Sequence, residues 1–414
     1  MSCLLALLVL SVGGPAQARM GGDEKGNGGS VIYCPHNQPW ERYEVLDLYE
    51  ARAVQTFRLK LIEGYSYQEV LGKMIDRLAG VNPTRAKLYQ SYAKTFEQEA
   101  RMIADAEFTD VPDRGWGALP KGCQLVQGAV QYKRPSIAGY RYFINKDVWD
   151  SMDNTQRAAL ALHEIIYREG LLPENGFQSS NGVRLLNGYL HSEYMRNVSL
   201  RNYVDVIQRS GLQAIDIQGF PVILHGGGLG QSGDGSYAVE FYDSGTVKNA
   251  ILARSFEAPG PHGKKAPFIC GTEAKGPPAE IQFYPTGVIQ RIRPQCTSLG
   301  FVLYSEESYG QMTAFDVQYD ADGNISWASP LQFELKHPNY HLRASKIGGR
   351  VEFFPTGEVR RMYIGHQFAD SNTSWIRVDG GEGRTLVELE KNDIYFDVVG
   401  RIVDMKLLPR QKAY

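Results

Sequence analysis

Excess charge and long apolar runs are both scarce in this sequence of 414 residues. Its 44 Lys and Arg residues and 46 Asp and Glu residues leave a net charge of -2 at pH 7. Because nucleic-acid-binding domains carry a basic patch or stripe, we expect no nucleic-acid partner. An apolar stretch of about 20 residues is also lacking, so we expect no integral membrane segment. A chain of this length usually holds more than one hydrophobic core, which favours two domains.

The sequence also lacks the Gly-x-Ser-x-Gly turn that presents the nucleophile of many serine hydrolases. Residues 225–228, His-Gly-Gly-Gly, are similar to the oxyanion loop of some esterases, but that loop needs the missing turn. We therefore interpret this Gly-rich segment as a linker between two halves of the chain.

At the N-terminus, an apolar segment from Leu4 to Val12 is followed by Gly-Gly-Pro and then by Ala-Gln-Ala at residues 16–18. The segment is too short to span a bilayer, and the small residues after it match a signal-peptidase site. Residues 1–18 are therefore predicted to be a signal peptide, and the Gly-rich residues 19–30 a flexible lead-in. The expected location is secreted or periplasmic, with the cell surface as a further option.

Cysteine is rare, with five in the whole chain. Removal of the signal peptide would take Cys3 away and leave four, an even number that favours disulfides in an exported protein. We expect the pairs Cys34–Cys123 and Cys270–Cys296, because the gap between the second and third cysteines coincides with the expected domain boundary. Free buried thiols are the alternative.

Apolar residues in the first half recur at spacings of three and four. This helical period begins near Glu41, and two strand-like runs, CQLVQGAVQYKR and GYRYFINK, interrupt it. Asp153 with Gln156 forms a plausible capping box before the next helix, which Gly170 and Pro173 end. Residues 31–215 are therefore predicted to form a mainly helical α+β domain with a small sheet.

The second half contains five similar units, each aligned on a glycine. Every unit has an aromatic residue four positions before the glycine and Val or Ile two positions after it. The glycines are Gly245, Gly287, Gly323, Gly357 and Gly400. Such a unit predicts a strand, a tight turn in which glycine supplies a positive φ, and a returning strand. Residues 220–414 are therefore predicted to form an all-β antiparallel domain of five hairpin repeats.

These units are similar to the hairpins of MORN-like repeat proteins, including the YwqK antitoxin family. Proteins of those families use such repeats mostly as scaffolds. The resemblance therefore implies an architecture and assigns no activity.

The stretch LHEIIYREG at residues 162–170 nearly matches the His-Glu-x-x-His helix of zinc peptidases. In that helix two histidines one turn apart bind zinc, and the glutamate polarises the attacking water. Here His163 and Glu164 are present, but Tyr167 replaces the second histidine. The next helix offers His191 and Glu193 as further ligands, so the segment resembles a degenerate zincin lobe.

A structural explanation of the same stretch is open as well. Glu164 could pair with Arg168 one turn later, while His163 and Tyr167 pack in a polar seam. No metal is needed in that case.

A wider resemblance covers about residues 26–195. The stretches GNGGSVIYC, LDLYEAR, LPKGCQLVQGAVQYK, RAALALHEIIYREG and VRLLNGYLHS occur in this order. They resemble an uncharacterised family of exported proteins from predatory Gram-negative bacteria, whose members keep the His-Glu-x-x-Tyr-Arg helix. The resemblance implies export from a Gram-negative cell and transfers no catalytic residue.

Two functions remain open on the sequence alone. The favoured one is a periplasmic or cell-surface protein, without a cofactor, that binds a protein partner or an envelope polymer through its aromatic-rich β domain. The alternative is a zinc-dependent, peptidase-like hydrolase that uses Glu164 as base and His163, His191 and Glu193 as ligands.

Overall fold

The computed structural model describes most of the chain between residues 25 and 407. The described residues are 25–26, 29–35, 43–106, 108, 118–136, 138–173, 175, 177, 179–217, 219–224, 239–252, 256–260, 265–268, 279–293, 300–304, 309–337, 340–345, 348–365, 375–380, 383–398 and 402–407. The predicted signal peptide, the Gly-rich linker from residue 225 and the expected Cys270–Cys296 pair lie outside them.

The first half is mainly helical. Its described residues form helices α1 Leu46–Ala53, α2 Tyr67–Ala79, α3 Pro83–Glu99, α4 Lys146–Asp150, α5 Asn154–Gly170, α6 Asn181–Leu190 and α7 Leu200–Ser210, with a 3-10 helix at Glu193–Asn197.

Two small sheets accompany these helices. Their strands are β1 Lys25–Gly26, β2 Ser30–Tyr33, β3 Tyr43–Val45, β4 Ala100–Ile103, β5 Gln124–Gln127, β6 Ala129–Tyr132 and β7 Tyr142–Asn145. One sheet has the order β1-β6-β7-β4 and the other β3-β2-β5. Part of the lead-in expected at 19–30 therefore lies in strands, since β1 pairs with β6 and β2 begins at Ser30.

Helix ends follow the capping residues of the sequence. The Asp153 side chain accepts a hydrogen bond from the backbone N–H of Gln156, and α5 ends at Gly170, as the sequence predicts. The Gln156 side chain accepts from the N–H of Val45 instead of returning to Asp153. Gln156 of the expected capping box therefore joins α5 to β3 by a hydrogen bond.

The second half is a large antiparallel sheet of 15 strands, counted within the described residues. Its strands are β8 Ala214–Ile217, β9 Phe220–Ile223, β10 Val239–Phe241, β11 Val247–Leu252, β14 Glu280–Phe283, β15 Ile289–Arg293, β16 Gly300–Tyr304, β17 Tyr309–Tyr319, β18 Ile325–His337, β19 Tyr340–Ser345, β20 Gly348–Phe353, β21 Val359–Gly365, β22 Trp375–Gly380, β23 Gly383–Phe396 and β24 Ile402–Leu407. A separate hairpin joins β12 Phe256–Pro259 to β13 Lys265–Phe268. The α+β class expected from the sequence is confirmed.

Four of the turn glycines share one backbone geometry. Gly245, Gly287, Gly323 and Gly357 have φ of 85°, 87°, 87° and 102°. In each turn the glycine N–H donates to the carbonyl three residues earlier. The strand register shifts at the aromatic residue four positions before the glycine. This is a tight turn followed by a glycine bulge, which needs a left-handed residue. The fifth turn glycine, Gly400, lies outside the described residues, although Phe396 and Ile402 on either side of it are paired.

The sheet has one apolar and one polar face, because side chains alternate along each strand. One cross-strand row is buried and apolar: Ala250, Ile281, Ile292, Val317, Ala328, Val351, Met362 and Ile394. The next row is polar and aromatic: Asn249, Gln282, Arg291, Gln318, Trp327, Glu352, Arg361 and Tyr395. Each hairpin thus contributes to both rows at equivalent positions.

Within the described part of the chain, the helices are all too short or too polar to cross a membrane.

The glycine requirement is testable at two sites with equal space. A Cβ at Gly245 or at Gly72 would meet no atom within 4 Å, but Gly245 has φ +85° while Gly72 lies inside α2. We expect Gly245→Ala to lower the free energy of unfolding by about 1–2 kcal/mol. Gly72→Ala should raise it by about 0.5–1 kcal/mol, because alanine loses less entropy in a helix. Urea unfolding of both variants is the measurement, and equal stability of Gly245→Ala and wild type would contradict the proposed turn geometry.

Candidate functional site

Helix α5, which carries the His-Glu-x-x-Tyr motif, runs through the core of the first half. His163, Glu164 and Tyr167 are 1%, 0% and 1% exposed. The helix packs against α1, α2, α3, α6, β3 and β6, so its polar side chains must find partners on those elements.

His163 is paired with Asp47 of α1. Its Nδ1 lies 2.8 Å from Oδ2 and 3.1 Å from Oδ1 of the Asp47 carboxylate. The side-chain amide of Asn187 in α6 also donates to Oδ2, at 2.6 Å. Burial alone would raise the pKa of Asp47, but the attraction and hydrogen bond of His163 lower it. Burial alone would lower the pKa of His163, but Asp47 outweighs it and raises the pKa. Asp47 is therefore the ionised anchor of the cluster.

Glu164 is held by the N-terminal segment. The backbone N–H of Gly29 donates to its Oε1 at 2.6 Å. The amide nitrogen of Gln131 in β6, in the orientation that satisfies both groups, lies 3.0 Å from Oε2. Burial raises the pKa of Glu164 to about 7, although His163 and the Gly29 hydrogen bond oppose the rise. The carboxyl group therefore joins the N-terminal segment to the core.

His191 and Glu193 have different surroundings. His191 ends α6, is fully buried, and its Nδ1 donates to the Asn187 carbonyl at 2.9 Å. Burial lowers the pKa of His191 to about 4. The Glu193 side chain is 44% exposed and pairs with Arg58 at 3.4 Å. The structure thus links His191 to His163 through Asn187 and Asp47, and places Glu193 at the surface.

Tyr167 and Arg168 lie on different sides of α5. The Tyr167 ring is 6.2 Å from the His163 ring, between centroids. Arg168 pairs with Glu99 at 3.2 Å and its guanidinium lies 3.9 Å from the centre of the Tyr92 ring. The Glu164–Arg168 pair that the structural explanation offered is not formed, because Glu164 points towards Gly29 and β6 while Arg168 points towards α3.

The described polar side chains around α5 do not form a recognisable metal site. Within the described ranges, no group of three or more His, Cys, Asp or Glu side chains is arranged to hold a metal ion. The ligands proposed from the sequence, His163, His191 and Glu193, do not converge, because Glu193 is turned to solvent.

A disulfide closes the edge of the first half. Cys34 and Cys123 are bonded, with their Cα atoms 4.3 Å apart, which confirms the pairing predicted for them. The bond joins the end of β2 to the start of β5 and packs beside Ile32 and Leu46. A disulfide is compatible with an exported protein.

A second candidate site is the polar face of the large sheet. The Arg350 guanidinium lies 4.7 Å, and that of Arg291 5.6 Å, from the centre of the Trp327 ring. Arg361 lies 5.4 Å from the centre of the Tyr395 ring. We call Arg291, Trp327, Arg350, Arg361 and Tyr395 the arginine–aromatic face.

Carboxylates balance the charge of this face. Asp316 accepts hydrogen bonds from both Nε and Nη2 of Arg291. The Glu352 carboxylate lies 3.3 Å from the guanidinium of Arg350 and 4.0 Å from that of Arg361. Each guanidinium group therefore has a carboxylate partner, and the two carboxylates offset two of the three arginine charges.

Comparison with known proteins gives no assignment. No protein-family model matches the chain, and no curated protein matches it at a significant level.

The residues that pair with the polar groups of α5 were mostly not predicted from the sequence. Asp47, Gln131 and Asn187 complete the cluster. Each lies in a stretch on which the wider family resemblance rests, but that resemblance assigned none of them a role. One signal was present: Asp47 stands between Leu46 and Leu48 at the start of a helix and is buried with them. A charged residue on an apolar stripe needs a buried partner.

The raised pKa of Glu164 predicts a pH-dependent stability difference. A carboxyl group with a pKa near 7 in the folded protein and about 4.3 when unfolded stabilises the fold while protonated. That contribution is complete below about pH 4 and is lost as the pH rises to 7. Relative to wild type, Glu164→Gln should therefore gain about 1–3 kcal/mol of unfolding free energy between pH 5 and pH 8.

Urea unfolding at the two pH values measures this gain. Glu193→Gln, which changes an exposed carboxylate, is the matched control and should differ from wild type equally at both. A Glu164→Gln difference that is also the same at both pH values would refute the expectation.

Proposed function

We propose that the protein is an exported, non-catalytic binding protein of the periplasm or cell surface. It holds an extended envelope polysaccharide on the arginine–aromatic face of its large sheet. The observation that carries this proposal is the alignment of Arg291, Trp327, Arg361 and Tyr395 in one cross-strand row of the polar face.

The spacing of the row suits a linear polymer. From Arg291 in β15 to Tyr395 in β23 the row crosses five strand steps, at about 4.8 Å each, or about 24 Å in all. Sugar rings repeat along an extended glycan at a similar spacing. A rigid row that crosses several strands therefore supports a repeating ligand more than a compact one.

The chemistry of the row also suits sugars. Aromatic rings offer flat apolar surfaces with a polar edge, and Tyr363 and Tyr395 are exposed on this face. Guanidinium and carboxylate groups held in ion pairs donate and accept hydrogen bonds in fixed directions. Because Asp316 and Glu352 offset two of the three arginine charges, the face favours a polymer with little charge over a strongly acidic one.

The five glycine-centred units form the scaffold of this face in our proposal. Each hairpin repeats the same bulge, so each places a residue in the same row. Two tyrosines reinforce the register between neighbours: Tyr242 donates to the Phe283 carbonyl at 2.8 Å, and Tyr284 to the Tyr319 carbonyl at 3.0 Å.

The geometry does not favour the hydrolase alternative. A zincin glutamate must reach a water beside the substrate. Glu164 is fully buried, and its oxygens are occupied by Gly29 and Gln131.

Binding to isolated envelope glycans tests the proposal. We expect the wild-type protein to co-sediment with purified cell-wall polysaccharide, and Tyr395→Ala or Arg361→Ala to weaken binding about tenfold each, as truncation of a central aromatic or arginine contact does. Tyr65→Ala is the matched control, because Tyr65 is 100% exposed in the first half, away from the sheet.

Unfolding temperatures should show that all three variants are folded. A wild-type protein that binds no envelope glycan, or variants of the face that bind like wild type, would refute the proposal. Saturable binding to a purified envelope protein without glycan binding would replace the polysaccharide with a protein partner.

A further inference from the structure

The segment that joins α1 to α2 is exposed and yet held closely to the rest of the helical half. Residues 58–65 contain no helix, and their one strand-like pairing is an antiparallel bridge between Leu59 and Ser192. Leu59 and Ile62 are half-buried against the core, whereas Leu61 is 44% exposed. Connections on the surface are usually mobile, but the backbone of this one is fixed by many contacts.

Every second residue of the segment is bonded inward. The Arg58 carbonyl accepts from the N–H of Glu193 at 2.9 Å, and the Lys60 N–H donates to the His191 carbonyl at 2.7 Å. The anchors come from α2, from the start of α5 and from the residues after α6. Three side chains hold the carbonyls that follow: Arg77 donates to Lys60 at 2.8 Å, Thr155 to Ile62 at 3.0 Å and Asn154 to Gly64 at 3.1 Å.

The residues between these anchors direct their backbone groups outward. In an extended chain, the N–H and C=O groups of neighbouring residues point to opposite sides. The backbone groups of Leu59, Leu61 and Glu63 make no hydrogen bond within the described part of the chain. Residues 59–63 therefore present a short strand edge with the exposed Leu61 at its centre. We call these five residues the anchored edge.

Both ends of the anchored edge are fixed as well. Before it, the Phe57 ring packs edge-on against Tyr189 and Tyr194, at 5.5 Å and 6.1 Å between centroids. After it, the Tyr65 N–H donates to the Glu69 carboxylate at 3.0 Å. A segment held in this way has little conformational entropy left to lose when a partner binds it.

The features of the anchored edge match what the substrate cleft of an endopeptidase binds. Such a cleft takes a chain in extended form, and its specificity pocket receives one side chain. Leu61 offers an apolar side chain for the pocket. The carbonyls of Lys60 and Ile62, on either side of the Leu61–Ile62 bond, are both held by the scaffold. Because the two sides of the bond stay together, rejoining competes with hydrolysis.

A second copy of the chain fits the anchored edge less well. In a twofold antiparallel pairing centred on Leu61, Lys60 of one copy faces Ile62 of the other. The two Lys60 side chains are then diagonal neighbours on one face, and like charges at such positions repel. The pairing also places the Glu63 carboxylate opposite the apolar Leu59.

We propose that residues 59–63 are the binding loop of a protein inhibitor of endopeptidases, with Leu61 in an apolar specificity pocket of the enzyme. Leu59, Leu61 and Glu63 pair through their backbone with the cleft, while the anchors behind them keep the loop rigid. This interaction surface lies in the helical half and is independent of the arginine–aromatic face.

Inhibition of purified endopeptidases by the full chain tests this proposal. Chymotrypsin has an apolar specificity pocket, and subtilisin carries the same catalytic triad on an unrelated fold. We expect the wild-type chain to inhibit both enzymes with inhibition constants below about 1 μM, since rigid protease inhibitors are among the tightest protein ligands. Thr155→Val keeps the shape of the side chain but removes the anchor of Ile62. It should weaken inhibition about tenfold and speed cleavage between Leu61 and Ile62.

A change of specificity supplies a readout that a merely structural role would not give. Leu61→Lys should weaken inhibition of chymotrypsin at least a hundredfold and create inhibition of trypsin, whose pocket carries a carboxylate. Met102→Lys is the matched control, because Met102 is 42% exposed at a distant site in β4. It should leave chymotrypsin inhibition unchanged and give no inhibition of trypsin. Unfolding temperatures should show that each variant is folded.

Three outcomes would overturn the proposal. One is a wild-type chain that inhibits neither chymotrypsin nor subtilisin, or that both enzymes cleave at Leu61 as fast as an unstructured peptide. Another is a Leu61→Lys variant that inhibits chymotrypsin like wild type. The third is self-association of the wild-type chain that Leu61→Lys abolishes, which would assign the anchored edge to a second copy.

Discussion

Helix α5 is enclosed by protein on every side, and the need to pair its buried polar groups organises the first half of the chain. Glu164 binds the backbone of Gly29, and His163 binds Asp47. Glu169, the residue after Arg168, forms a salt bridge with Arg85 of α3 at 2.8 Å. Because an isolated buried charge is very costly, each of these groups fixes the position of another element. The N-terminal segment, α1 and α3 are all placed against one helix in this way.

The large sheet obeys a different constraint, which is local and repeated. Each glycine turn requires a left-handed residue, and the bulge beside it shifts the register in the same way in each hairpin. The polar and apolar rows therefore stay aligned from unit to unit because the turn geometry repeats. At its first edge the sheet packs on the helical half, where Ile215 and Ile217 are buried and Arg201 of α7 lies 5.8 Å from the centre of the Phe241 ring. The apolar row of the sheet is consequently continuous with the hydrophobic core of the helical half.

The difference between these constraints explains what the sequence could predict. The helix caps, the glycine turns and the class of each half depend on residues a few positions apart, and the structure confirms them at Asp153 and at Gly245. The partners of α5 lie 116 residues away for Asp47 and 135 for Gly29, beyond any local pattern. The Glu164–Arg168 pair is not formed for the same reason. Helical spacing determines which residues are neighbours on the helix, but tertiary contacts determine which way each side chain points. The Cys34–Cys123 bond was predictable because only two of the four remaining cysteines lie in the first half.

The resemblance of LHEIIYREG to a zinc helix is therefore best explained by burial. A catalytic zinc site needs an open coordination position and a glutamate with access to water. In α5, Glu164 accepts a hydrogen bond from the backbone of Gly29, and His163 is paired with Asp47. Glu164 therefore cannot reach a water beside a substrate, and within the described residues no group of three His, Cys, Asp or Glu side chains is arranged to hold a metal ion. The polar groups of the motif act instead as buried contacts that join α5 to α1, to β6 and to the N-terminal segment.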